Sequence, residues 1–252
     1  MEQILEVKNL KKSFYKKNMQ IEAVKNVSFT LQKGECLGLV GESGCGKSTV
    51  AKLITYLKEA EEGKIFLEGK ETTGKKRRKD LCEYYKKVQM VFQTPQESFD
   101  PRRTLGDGIM EGMRNQGIKK EEARKRMKEL FAMVELSEEF ADRYPHEVSG
   151  GQCQRAAIAR ALAVNPKVLI CDEATSALDV TVQEQVVKLL EKFRKERGIS
   201  ILFICHDLAL VQKICDRVLV MYQGEIVEEG TPEEVIGHPK MEYTKLLVDA
   251  VL

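Results

Sequence analysis

A glycine-rich stretch, Gly41–Ser48, has the residue types and spacing needed to hold a phosphate chain. Its sequence GESGCGKS fits the pattern G-x-x-x-x-G-K-[ST], and it lies between an apolar run, Glu35–Val40, and a segment of helical character, Ser48–Glu59. Glycines let the backbone curl so that successive N–H groups face one anion, and the positive end of the following helix strengthens the attraction. We therefore predict a triphosphate-binding loop made of Gly41, Glu42, Ser43, Gly44, Cys45, Gly46, Lys47 and Ser48.

The polar side chains that end this loop would each do distinct chemistry. Lys47 would reach the β- and γ-phosphates, and the Ser48 hydroxyl would bind Mg²⁺. Thr49 follows and could place a second hydroxyl near the α-phosphate. The alternative is a glycine turn beside an incidental lysine, which the apolar run before the loop and the helical segment after it disfavour.

Two acids follow a second apolar strand, predicted over Lys167–Cys171. In a sheet buried on both faces, this strand would end beside the phosphate loop. Asp172 could then hold Mg²⁺ through water, while Glu173 could polarise a water that attacks the nucleotide. Most acid pairs after a strand are solvated or cap the next helix, and only the phosphate loop upstream favours the catalytic interpretation here.

Two more polar residues follow predicted strands. His206 comes after the apolar strand Ser200–Cys205 and could contact the γ-phosphate and orient the water. Gln93 follows Val88–Phe92 and could place its amide on the metal or the water. A lone histidine at such a position is more often structural, so the prediction rests on the shared sheet edge rather than on either residue alone.

A second glycine-containing segment starts a helix predicted over Gly150–Val164. Ser149 could cap this helix, and Gly150 and Gly151, followed by Gln152, would expose backbone N–H groups at its positive end. One interpretation is a capped helix with a flexible entry. The other is a site for the γ-phosphate of a nucleotide held by a second subunit.

The remaining pattern predicts an α/β protein with a helical insertion. Strands alternate with helices such as Val180–Arg197, which favours a mainly parallel sheet with its ligand at the carboxyl ends of the strands. The residue pattern between Thr94 and about Asn165 is typical of helices, and the apolar spacing predicts one helix over Lys120–Val134. The basic run Gly74–Lys79 is expected to be a solvated loop, with a membrane-facing or partner-binding patch as the alternative.

Composition narrows the class of protein. The 252 residues carry 41 basic and 39 acidic side chains, a net charge of +2, so the sequence gives no support for nucleic-acid binding. Seven scattered cysteines without a C-x-x-C pair are typical of a reducing compartment. The amino terminus lacks the pattern of a signal peptide, and no run approaches 18 apolar residues. We expect a cytoplasmic protein.

These motifs, in this order and over essentially the whole chain, resemble the ATPase subunit of an ABC transporter. The resemblance implies ATP and Mg²⁺ as ligands and a P-loop NTPase fold with a RecA-like core, an antiparallel β subdomain and an inserted helical subdomain. It implies a single domain over 1–252, divided into a core at 1–93 and 166–227, a helical subdomain at 94–165 and a carboxyl-terminal tail at 228–252.

The same resemblance assigns further roles. Two homologous subunits, identical or different, would pack head to tail, each ATP lying between the phosphate loop of one and Ser149–Gln152 of the other. Asp179, in the stretch Ser176–Asp179, would help communicate across the dimer. Phe14, or the neighbouring Tyr15, occupies the position where the family stacks an aromatic ring on adenine.

Three stretches are similar to a narrower branch, the dipeptide, oligopeptide and nickel importers. They are Val91–Arg102, Arg143–Ser149 and His238–Leu247. Membership implies two transmembrane permease subunits, an indirect link to a substrate-binding protein, and a peripheral position on the cytoplasmic face of the membrane. The cargo would be peptides or nickel and other metal chelates. The alternative function is a soluble ABC ATPase with no membrane partner.

Overall fold

A six-stranded sheet forms the centre of the molecule. The structure is a computed structural model that describes residues 2–16, 19–74, 77–175 and 180–250. Strands and helices are numbered in chain order. In spatial order the strands of this sheet are β10 (Glu225–Gly230), β9 (Arg217–Tyr222), β3 (Cys36–Val40), β8 (Ser200–Ile204), β7 (Val168–Asp172) and β6 (Val88–Val91). All neighbours are parallel except β10 and β9, so the carboxyl ends of five strands meet at one edge.

This sheet is buried on both faces, which explains why its strands read as continuous apolar runs. Alternate residues of β7 enter two different cores: Leu169 and Cys171 join the core that includes the helical insertion, while Val168 and Ile170 join the core beneath the second sheet. All five residues of β7 are buried. The prediction of a mainly parallel sheet is confirmed.

The second sheet is antiparallel and has the spatial order β2, β1, β4, β5. Its strands are β1 (Gln3–Lys16), β2 (Met19–Gln32), β4 (Glu62–Leu67) and β5 (Lys70–Glu71). The apolar pattern of the sequence predicts strands here at residues 3–9, 27–31 and Ile65–Leu67, which are parts of β1, β2 and β4. Strands β1 and β2 are longer than predicted, because residues 19–22 are exposed and cross-strand pairing rather than burial forms the outer halves of these strands.

Eight α-helices lie in the described part of the chain. They are α1 (Lys47–Ile54), α2 (Arg78–Lys87), α3 (Leu105–Asn115), α4 (Lys120–Met133), α5 (Gly150–Leu162), α6 (Val180–Arg197), α7 (Leu208–Ile214) and α8 (Glu242–Asp249). Short 3₁₀ turns occupy Pro95–Ser98, Glu138–Asp142 and Pro145–Glu147, and a π-helical turn occupies Glu233–Gly237. Helices α3, α4 and α5 pack against one another around the fully buried Phe131.

Two sequence predictions about local structure are wrong. The helix expected over Ser48–Glu59 ends at Ile54, because Tyr56 adopts a left-handed backbone with φ +55° that stops helix propagation. The loop expected over Gly74–Lys79 is wrong at its end, since Arg78 and Lys79 begin α2. Lys75 and Lys76 of that run lie outside the described residues. Within the described ranges, no helix is long and apolar enough to cross a membrane.

Candidate functional site

The loop between β3 and α1 has the close-packed geometry that its glycines predict. Gly46 has a φ of +117°, and a Cβ atom there would lie 2.2 Å from the carbonyl oxygen of Ala23. At Gly41 a Cβ would lie 2.1 Å from the carbonyl oxygen of Met221, and φ is +145°. Only glycine fits at these two positions. The loop is therefore wedged between the β2 strand on one side and the end of β9 on the other.

The Lys47 side chain points into this loop, and the residue is only 4% exposed to solvent. Its Nζ donates to the carbonyl oxygens of Gly41, at 2.7 Å, and Glu42, at 2.8 Å. Two of its three donors are thus fixed by the backbone, and the third faces the weak acceptor Cys45 Sγ at 3.7 Å. The carbonyl groups of Gly41 and Glu42 therefore hold the Lys47 ammonium group inside the curve of the loop.

Ser48 and Asp172 join the start of α1 to the end of β7. The Ser48 hydroxyl donates a 2.8 Å hydrogen bond to Oδ1 of Asp172, a residue that is 4% exposed. Burial raises the pKa of the Asp172 carboxyl, and the Ser48 hydrogen bond acts in the opposite direction. A hydroxyl and a carboxylate are hard oxygen ligands of the kind Mg²⁺ prefers. Within the described residues there is no cluster of three or more His, Cys, Asp or Glu side chains that could hold a metal ion.

Gln93 and Glu173 face each other across the same edge. The Gln93 side chain donates a 2.7 Å hydrogen bond from Nε2 to Glu173 Oε2. Glu173 has a φ of +47°, an unusual backbone for a non-glycine residue, and its N–H donates to the Ile204 carbonyl of β8 at 3.0 Å. This turn directs the Glu173 side chain toward the loop after β3.

Lys47, Ser48, Gln93 and Glu173 line one cleft of about 190 Å³, and Asp172 reaches it through its hydrogen bond with Ser48. Its lining includes the phosphate-loop residues and both partners of the Gln93–Glu173 pair. The lining residues are Ala23, Ser43, Gly44, Gly46, Lys47, Ser48, Thr49, Gln93 and Glu173. The structure thus brings together most of the residues that the sequence assigned to one site.

His206 lies at the same sheet edge but apart from the cleft. It follows β8, whose Ile204 pairs with Asp172 of β7, and its side chain is exposed. His206 is not among the described residues that line the cleft. The next residue, Asp207, caps α7 by accepting from the Ala209 and Leu210 N–H groups. The contact of His206 with a phosphate stays a prediction.

The Ser149–Gln152 segment caps α5, as the sequence predicted. Ser149 Oγ accepts from the Gln152 N–H at 3.3 Å, and Gln152 Oε1 accepts from the Ser149 N–H at 2.9 Å. Ser149 and Gly150 are exposed, Gly151 is half-buried, and none of the four lines the cleft among the described residues. This helix start therefore faces outward, away from the phosphate loop of its own chain.

The two aromatic candidates for adenine stacking sit near the end of the β1–β2 hairpin. Phe14 is half-buried, and the ammonium groups of Lys58 and Lys12 lie 5.2 and 5.8 Å from its ring centre. Tyr15 is 77% exposed. Stacking on adenine stays a prediction for both rings. Asp179 and the rest of Ser176–Asp179 lie outside the described residues.

Sequence reasoning missed two residues of the site. Ala23 lines the cleft from β2, but an alanine in a strand carries no chemical signal. Tyr243, on α8, accepts a hydrogen bond from the Glu42 N–H of the phosphate loop at 3.1 Å. It belongs to the tail that resembles the peptide branch, and no local pattern reveals a contact across 201 residues.

Comparison with known proteins places these motifs in context. The family model described as ABC transporter matches residues 24–176. The oligopeptide transport ATP-binding protein OppF of Bacillus subtilis is 48% identical over 99% of this chain and 83% of its own length. The glutathione import ATP-binding protein GsiA of Pectobacterium atrosepticum is 46% identical over 99% of this chain, which spans 41% of that longer protein.

Solved structures of ATP-binding cassette proteins are also similar to this chain. The ATP-binding cassette MJ0796, solved as a dimer in a post-hydrolysis state bound to ADP and Pi, superposes with a TM-score of 0.84 and 31% identity, covering 91% of this chain and 99% of that one. CbiO1 from Clostridium perfringens, part of the transporter complex cbiONQ, gives a TM-score of 0.81 at 30% identity over 94% of this chain and 92% of that one.

Proposed function

This chain belongs to the ABC transporter family of ATPases, and we propose that it is the ATP-hydrolysing subunit of an importer that takes up peptides. The single observation that carries the proposal is the cleft in which the phosphate loop meets the Ser48–Asp172 and Gln93–Glu173 pairs. A phosphate-binding loop, a metal-ligand pair and a carboxylate beside an amide are the parts that hydrolysis of a nucleoside triphosphate requires.

The residues of this cleft divide the work of hydrolysis. Lys47 and the loop N–H groups hold the phosphates, and Thr49 adds a hydroxyl beside them. Glu173 accepts a proton from the water that attacks the γ-phosphorus, so that the bond to the bridging oxygen breaks and ADP and phosphate form. The Gln93 amide orients that carboxylate through its hydrogen bond. Mg²⁺, held by Ser48 and through water by Asp172 and Gln93, would supply charge neutralisation at the phosphates.

A second subunit would complete the site. The outward-facing start of α5 presents the N–H groups of Gly150 and Gly151 near its positive end. Because this helix start does not line the cleft of its own chain, it is available to the γ-phosphate held by a partner. The dimeric state of the MJ0796 cassette supports this arrangement. The partner is an identical or a homologous ATPase, Asp179 would help communicate across the dimer, and His206 would contact the γ-phosphate and orient the water.

Similarity to one branch of the family indicates which cargo to expect. The curated relatives named above are transporters of oligopeptides and of glutathione, which favours peptides over nickel chelates as cargo. Membrane crossing would be done by two permease subunits supplied with cargo by a substrate-binding protein. The ATPase would then sit peripherally on the cytoplasmic face of the membrane and bind no nucleic acid.

Uptake by cells that carry a Glu173→Gln chain tests the proposal. Labelled tripeptide uptake should fall to background, while nickel uptake stays at the wild-type level. Cells carrying Glu97→Gln, a change at an exposed acid outside the cleft, are the matched control and should import peptide normally. Loss of nickel uptake alone would move the cargo to metal chelates. Loss of neither, with no multi-span protein copurifying from detergent extracts, would favour the soluble alternative.

A further inference from the structure

The carboxyl-terminal tail touches the phosphate loop directly. The Glu42 N–H of the loop donates a 3.1 Å hydrogen bond to the hydroxyl oxygen of Tyr243 on α8. The turn between β9 and β10 adds a second contact, because the Gly224 N–H donates to the Cys45 carbonyl at 3.0 Å. Both contacts come from chain beyond residue 176, where the match to the family model ends.

One peptide group links this contact to the phosphate-binding lysine. The Glu42 N–H and the Gly41 carbonyl belong to the same peptide unit, and that carbonyl accepts from Lys47 Nζ at 2.7 Å. Because a trans peptide is planar, its N–H and C=O point in opposite directions and turn together. Fixing the N–H on Tyr243 therefore fixes the carbonyl that holds the Lys47 ammonium.

Tyr243 is itself held in place. Its ring packs on the ring of Tyr222 at the end of β9, with centroids 4.0 Å apart and planes 30° apart. The start of α8 is tied to β10, because the Glu228 carboxylate accepts from the N–H groups of Lys240, at 2.8 Å, and Met241, at 3.1 Å. These contacts fix the position of Tyr243 and of the start of α8 relative to β9 and β10.

We propose that Tyr243 is a positioning residue for triphosphate binding, acting through the Gly41–Glu42 peptide on Lys47. The inference rests on the proposed ATP-binding function and extends it to the tail. Without the hydroxyl acceptor, the exposed Glu42 N–H turns to water, the peptide is free to rotate, and Lys47 loses one of its two backbone acceptors. Nucleotide then binds a less organised loop.

Tyr243→Phe tests this, because it removes the acceptor and keeps the ring that packs on Tyr222. The matched control is Tyr85→Phe, which removes a hydroxyl that donates to the Thr55 carbonyl at the same distance, 3.1 Å, away from the loop. Fluorescence titration of the full chain with a labelled ATP should show affinity weakened about three- to tenfold by Tyr243→Phe, the range of one hydrogen bond, and unchanged by Tyr85→Phe.

A second readout separates positioning from stability. Hydrogen exchange of the nucleotide-free chain should speed up at the Glu42 amide in Tyr243→Phe, with a thermal midpoint no lower than that of the control. Wild-type ATP affinity and wild-type exchange in Tyr243→Phe would overturn the inference, as would equal losses of affinity and midpoint in both variants. If the unaltered chain bound no ATP, the proposed function would fail, while faster exchange at Glu42 would still support the contact.

Discussion

The Gln93 amide and the Glu173 carboxylate meet at 2.7 Å, although 80 residues separate them in the chain. Two neighbouring parallel strands, β6 and β7, bring them together, since Val91 pairs with Cys171 and each polar residue follows two positions later. The amide belongs to the last residue before the helical insertion, and the carboxylate is the proposed base. The pair therefore connects the reacting centre to the segment that α3, α4 and α5 form.

Replacing Glu173 with glutamine should separate binding from turnover. Glutamine keeps the size of the side chain and its capacity to bond Gln93, but it cannot accept a proton at neutral pH. We expect ATP affinity near wild type and a hydrolysis rate at least about 100-fold lower, the usual contribution of a general base. Phosphate release measured with Mg²⁺ and saturating ATP, beside the Glu97→Gln control, checks this. Unchanged hydrolysis would remove Glu173 from the role of base.

Ser149 offers a test of the shared site. Ser149→Arg would place a bulky cation over the start of α5, so we expect normal ATP binding by the loop and lost turnover. Mixing this variant with Glu173→Gln should restore hydrolysis above either alone, because one of the two sites in a mixed dimer would then hold an intact Glu173 and an intact Ser149. Measured phosphate release from the mixture decides it. A site contained within one chain would show no such rescue.

The strands that carry the site were predictable because each is a continuous apolar run that ends in a polar residue. Burial on both sheet faces gives that pattern, and the pattern alone is enough to locate Gln93, Asp172, Glu173 and His206 at one edge. The pairings Ser48–Asp172 and Gln93–Glu173 follow from strand order, which the sequence implies only through the resemblance to the family.

Helix α3 shows why other elements escaped prediction. Its sequence LGDGIMEGMRN contains three glycines, which weaken any helical signal. Close packing requires glycine at two of these positions. A Cβ on Gly108 would lie 2.6 Å from the Phe99 ring, and one on Gly106 would lie 2.9 Å from the Ala141 carbonyl oxygen. Tertiary contact thus overrides local propensity here, and the contact of Tyr243 with the loop is equally non-local.

An ion pair between half-buried Arg217 and buried Glu35 joins β9 to the residue that precedes β3 and should contribute to stability. Arg217 of β9 donates to Glu35 Oε1 at 2.7 Å and also binds Glu229, while Glu35 is 7% exposed. Arg217→Met would leave the Glu35 carboxylate buried without its cation, so we expect about 2–4 kcal/mol less stability in urea unfolding. Adding Glu35→Gln should recover much of the loss. Lys33→Met, which breaks an exposed pair with Glu2, should leave the midpoint unchanged.

Acid should release the tail through Glu228. Burial acts to raise the pKa of this carboxyl, but the Thr244 hydroxyl and the N–H groups of Lys240 and Met241 together outweigh it and hold the pKa below its ordinary value. A lowered folded-state pKa means that the stabilisation is complete above the unfolded-state pKa of about 4.3 and is lost as the pH falls through the folded-state value. Glu228→Gln should therefore lower the thermal midpoint at pH 7, and its difference from wild type should be smaller at pH 3 than at pH 7. Glu225→Gln, an exposed neighbour on β10, is the control and should differ little at either pH. A difference between Glu228→Gln and wild type that stays constant from pH 7 to pH 3 would show that the ionised carboxylate does not hold α8.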